Sequence, residues 1–259
     1  MSFRLYLEQF GPIQALPVLH NRMEFAQLVR MVFSRVRPEA VAIELPATLE
    51  APFIRALRRL PQISVISYQA GRRAGAAQPE MVYLLVEPAD PLVEAARLAL
   101  EQGLPLHFID VDTDSYPRHH EALPDSYSIC RIGLEQYYRA YRAANAAETP
   151  DQEDRRREQG MAYRLQDMAR DHQRILFVCG MAHLERIKSL YAAPQAAPLE
   201  RIRREGITVC NLHPDSCREI LAEFPFLSAV YELRRGAVRS PTSPTRAVPG
   251  YANVSTPWN

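Results

Sequence analysis

Two kinds of apolar pattern alternate along this chain, short continuous runs and stripes that recur every three to four residues. Runs without helical spacing predict strands over 13–18, 40–45, 63–68, 81–86, 105–111, 174–179 and 207–212. Between them, helical spacing predicts helices over 23–36, 52–60 and 92–102, and a long helical region over about 129–171 that breaks near Thr149 and Pro150. Strands that alternate with helices imply an α/β fold: a largely parallel central sheet with helices on both faces, and a long helical insertion before the strand at 174–179.

The periodic pattern fades after Glu232 and Leu233. Residues 1–235 therefore read as one α/β domain, and 236–259, rich in Pro, Ser and Thr, as a tail or linker leading to further domains. Residues 70–80 and 112–128 read as loops that shape substrate access. The helices between 129 and 171 offer a face for a homodimer.

Composition narrows the classes of function. Lys and Arg total 31 against 30 Asp and Glu, a net charge of +1, so no basic field argues for nucleic acid or an anionic membrane surface. The start, MSFRLYLEQFGP, has no apolar core followed by a small-residue cleavage site, and no long apolar span occurs, which predicts a cytoplasmic protein. Cys130, Cys179, Cys210 and Cys217 lack C-x-x-C spacing, which favours reduced thiols over disulfides or a cysteine-bound zinc.

Polar residues collect where strands end. His20, Glu44, Glu87, Asp110, Asp112, His183 and His213 lie at or just beyond the carboxyl ends of predicted strands, the edge where open α/β sheets bind ligands. In RILFVCGMAHLERI an apolar strand runs into Gly180 and then delivers His183 to the start of a helix. Glu44 interrupts the apolar run VAIEL, where a carboxylate is costly unless paired, hydrogen-bonded or metal-bound.

Two chemistries suit this set. In the first, His20, Glu44 and His183 hold a divalent metal, zinc, manganese, cobalt or iron, that activates water, with Asp110, Asp112 and His213 as further candidates. In the second, a histidine oriented by Glu44 takes the proton from water, and Arg157 stabilises the developing negative charge. The chain has no G-x-S-x-G elbow, no G-x-G-x-x-G and no Walker loop, which disfavours serine-nucleophile chemistry and nucleotide binding.

Three stretches carry a family resemblance: LPVLHNRMEFAQLVRMVFSRVRPEAVAIELP, ALEQGLPLHFIDVDTD and RREQGMAYRLQDMARDHQRILFVCGMAHLERI. Over about residues 13–190 the chain is similar to the TraB/PrgY and TIKI group, part of a superfamily that includes erythromycin esterases and the haem-associated ChaN proteins. That group carries two G-x-x-H motifs, a glutamate at the end of the strand after the first, and an arginine with a downstream Met-Ala before the second. Gly180–His183 matches the second motif, Glu44 the glutamate, and Arg157 with Met161 and Ala162 the arginine pattern.

The resemblance implies a metal-dependent hydrolase, peptidase- or esterase-like, with Glu44, Arg157 and His183 catalytic, His20, Glu44 and His183 near the metal, and a small molecule or peptide as substrate. The first motif departs from the pattern. It reads Pro17-Val18-Leu19-His20, without the glycine, so the alternative is a catalytically silent ligand-binding or sensor domain of a multidomain protein.

Overall fold

In the computed structural model, residues 6–69, 81–113, 122–199, 204 and 206–237 are described. In chain order they form β1 (Glu8–Phe10), β2 (Ile13–Val18), α1 (Met23–Val36), β3 (Ala40–Pro46), α2 (Glu50–Leu57), β4 (Ser64–Gln69) and β5 (Met81–Val86). There follow α3 (Pro91–Gln102), β6 (Leu106–Asp110), α4 (Ile129–Ala144), α5 (Gln152–Asp171), β7 (Ile175–Gly180), α6 (Leu184–Tyr191), β8 (Thr208–Asn211), α7 (Pro214–Ile220) and α8 (Pro225–Ala237).

The apolar runs at 13–18, 40–46 and 175–180 become strands because they can be covered on both faces, and every residue of β3 and β7 is buried. They build a five-stranded sheet in the order β1-β2-β7-β3-β6. β2, β7, β3 and β6 run parallel, and only the edge strand β1 is antiparallel to its neighbour. Their carboxyl ends therefore point the same way.

α1 is a helix for a simple reason of spacing: Phe25, Leu28, Val29, Val32 and Phe33 fall on one buried stripe. It ends at Arg37 in the left-handed conformation, whose amide donates to the carbonyl of Phe33. α1 packs on α3, and α5 packs on α6 and β6. The helical region breaks as expected, with Thr149 and Pro150 between α4 and α5.

Three of the expected strands do not join the parallel sheet. β4, β5 and β8 form a separate antiparallel sheet in the order β5-β4-β8. The reason lies in their pattern. Ser64, Ile66 and Tyr68 of β4 are buried while Val65 and Ser67 between them are half-exposed, so this strand is one-sided, and β8 is short and mostly exposed.

Beyond residue 212 the sequence pattern predicts no element. α7 and α8 follow β8, and α8 covers the start of the expected tail. It is tied down by Arg235, which bonds Glu94 and Glu101, and by the paired bonds of Arg97 with Glu232. The expected loop 70–80, most of 112–121 and the tail beyond Ala237 lie outside the described residues. Among the described residues no helix is long and apolar enough to cross a membrane.

Candidate active site

The carboxyl ends of β2, β3, β6 and β7 bring His20, Glu44, Asp110 and His183 together, and α5 delivers Arg157 into their midst. Local structure explains each arrival. β3 pairs regularly with β6 as far as Ile43 opposite Phe108, then slips so that Pro46 faces Asp110. That irregularity falls at Glu44 and Leu45, and a bulge of this kind re-aims a side chain. Asp110 is the last residue of β6, and His183 opens α6 three residues beyond the end of β7.

His20 follows β2 and precedes a sharp turn at Asn21, whose φ is 54°. The Asn21 amide donates to Asp90 Oδ2 at 2.8 Å, while Asp90 Oδ1 accepts the amides of Leu92 and Val93 and so caps α3. One buried carboxylate thus fixes the turn that presents His20.

Arg157 is the hub. Its Nε bonds both oxygens of Asp110 at 3.1 Å, and its Nη2 donates to Asp110 Oδ2 at 2.8 Å and to Glu44 Oε1 at 2.7 Å. Its Nη1 lies 3.5 Å from His183 Nε2 and 3.5 Å from Asp154 Oδ1. Glu44 spends its second oxygen on the Gly180 amide, at 2.6 Å. His183 is held from behind by Glu158, with Nδ1 to Oε1 at 2.7 Å, and Glu158 is in turn held by Arg186.

Gly180 is where these groups meet. A Cβ at that position would lie 3.3 Å from both Glu44 Oε2 and His20 Nε2, and 3.7 Å from His183 Cδ2. The bare backbone is needed for the convergence, and its amide is one of the bonds that hold Glu44. Pro17 stands at the matching place of the first motif and has no amide hydrogen to offer.

The charges sort themselves accordingly. Burial alone would raise the carboxyl of Glu44, but His183, Arg157, His20 and the Gly180 amide overcome it and hold the group at about 2, firmly ionised. Asp110 moves the other way, raised by burial and by the charge on Glu44 against the pull of Arg157. Burial works against the charged form of His183, yet Glu44 and Glu158 outweigh it and push the imidazole upward.

These donors do not suit a divalent ion as they lie. Glu44 Oε1 lies 3.3 Å from His183 Nε2 and accepts from Arg157 Nη2, and Glu44 Oε2 accepts the Gly180 amide, so both Glu44 oxygens are already engaged. Among the described residues no three His, Cys, Asp or Glu side chains form a group able to hold a metal.

Two further candidates go elsewhere. Asp112 lies past the end of β6 and binds Thr48 and Arg204, the latter at 2.5 Å. His213 is exposed beyond the end of β8 and caps α7 by accepting the Asp215 amide. Four contributors escaped the sequence reading: Glu158, Asp90, the Gly180 amide and Arg164, which donates to the Asp110 carbonyl at 2.5 Å. A signal for Glu158 existed. Asp154, Arg157, Glu158, Met161 and Leu165 share the buried stripe of α5, and charges on such a stripe need partners.

A cavity of about 650 Å³ opens from this cluster. His20, Glu44, Asp110 and Arg157 lie at its sheet edge, with Asn21 and Asp90 beside them. Its volume falls within the range of about 300–1,000 Å³ usual for small-molecule sites. Comparison with protein-family models, curated proteins and solved structures returns no match.

Proposed function

We propose that this chain is a hydrolase of carboxylic esters or amides, with His20 as general base on water. The observation that carries the reading is the meeting of His20, ionised Glu44 and Arg157 at one end of a ligand-sized cavity. His20 is the accessible member of the group, while Glu44, Arg157 and His183 are buried. A base must reach water, and buried charges must be preorganised for it.

In the proposed reaction, water in the cavity gives a proton to His20 as its oxygen bonds to the substrate carbonyl carbon. The carbonyl electron pair moves to oxygen, and Arg157 stabilises that oxyanion. Glu44, beside the His20 imidazole, balances the imidazolium that forms, and Glu158 and His183 keep Glu44 in place. The tetrahedral species then collapses, the bond to the leaving alcohol or amine breaks, and His20 returns its proton to the leaving group. The likeness to a superfamily that includes erythromycin esterases supports this class of reaction.

Turnover of p-nitrophenyl esters by the wild-type chain and by His20→Ala and Arg157→Lys tests it. A loss of about 10²–10⁴ in kcat is expected for His20→Ala, and about 10²–10³ for Arg157→Lys, which keeps the charge but loses the fork. Hydrolysis unchanged in His20→Ala would overturn the reading.

A further inference from the structure

The cavity is divided by origin. Its charged residues come from the edge of the parallel sheet and the cap of α3, whereas α2, β4, β5 and α7 contribute Phe53, Val82, Leu84 and Ile220, with the phenols of Tyr68 and Tyr83 but no charged side chain among the described residues. Most of this second wall sits in the small antiparallel sheet, which the proposed chemistry does not use. Val82 and Leu84 stand opposite Tyr68 and Ile66 on one face of this sheet, and both remain only partly buried, although apolar side chains of this kind gain from being covered.

We propose that this wall is an acyl pocket, and that the substrate class is esters or amides of unbranched apolar carboxylic acids. The inference rests on the hydrolase reading: the carbonyl lies at His20 and Arg157, and the hydrocarbon extends from it over β4 and β5 toward Ile220. A chain with no polar groups along its length is what such a wall accepts without leaving a hydrogen-bonding group unpaired.

The test is the dependence of kcat/KM on acyl length for p-nitrophenyl acetate, butanoate, hexanoate and octanoate. Each methylene that enters the pocket is expected to raise kcat/KM about fourfold, the factor to which about 0.8 kcal/mol converts. Leu84→Trp and, on the adjoining part of the wall, Val82→Trp should each cut the octanoate-to-acetate ratio at least tenfold.

A flat or falling series, with acetate hydrolysis still dependent on His20, would overturn the acyl pocket and leave the hydrolase reading standing. If no ester is turned over, the hydrolase reading fails, and binding of the methyl ketones from 2-butanone to 2-decanone by calorimetry decides the pocket. Affinity that rises about fourfold per methylene would support it, and affinity independent of length would overturn it.

Discussion

Arg157 is the side chain whose loss reaches furthest. It is buried between two carboxylates, and removing one member of such a set leaves the others charged and unpaired. Arg157→Ala should therefore lower stability by about 3–5 kcal/mol in urea denaturation, well beyond a typical surface change. Asp90 acts at one remove, as a positioning residue for His20. Asp90→Ala should cost about 1–2 kcal/mol through the lost cap, and should lower kcat more than it changes KM, because it frees the turn at Asn21 rather than the substrate wall. An unchanged kcat in the folded variant would remove its positioning role.

Two carboxyl groups give stability opposite dependences on pH. Glu44, held at about 2, contributes stability that is present above its ordinary value of 4.5 and is lost as pH falls toward 2. Glu87 is the reverse case. It is buried against Ser228 and the charge of Asp90, its Oε1 has no partner among the described residues, and burial with Asp90 pushes it up to about 7. Its native form binds the proton more tightly than the unfolded chain does, so stability falls as pH rises from 4.5 through about 7. Glu87→Gln should therefore raise Tm at pH 8 by several degrees and change it little at pH 4. Equal effects at both pH values would contradict this account.

At the scale of elements, the site depends on how closely α5 lies on β6. Gly160 sits at that contact, where a Cβ would come within 2.1 Å of Val111 Cγ2. Gly160→Ala should destabilise the fold by about 1–3 kcal/mol, and by pushing α5 outward it should weaken the hold of Arg157 on Asp110 and depress turnover. Elements with a strong period were legible from sequence, as α1 and the buried runs of β2, β3 and β7 show. Partition between sheets was not. A strand such as SVISYQ declares one buried face but not which strand it pairs with, and the pairing of β4 with β8 joins residues more than a hundred positions apart.

The same limit shaped the reading of the site. Glu44 and His183 announced themselves by interrupting or ending apolar runs. Asp112 and His213 stood at comparable places, but a residue past a strand end can turn either way, and these two turned to Arg204 and to a helix cap. Glu158 and Asp90 act through a ring and a turn supplied by distant segments, so even the helical spacing that puts Glu158 on a buried stripe does not name its partner.

At the scale of the whole molecule, one cavity draws its lining from both sheets. The parallel sheet supplies charged groups at its carboxyl edge, and the antiparallel sheet supplies a largely apolar wall without charged side chains among the described residues. The central claim is that water is activated there by His20, beside a carboxylate already committed to Arg157. Hydrolysis of p-nitrophenyl butanoate by protein dialysed against a chelator, beside His20→Ala treated in the same way, tests that claim most directly. Full activity in the dialysed wild type and a loss of about 10² or more in His20→Ala is the predicted result. Activity abolished by the chelator and restored by added zinc, manganese, cobalt or iron would contradict it.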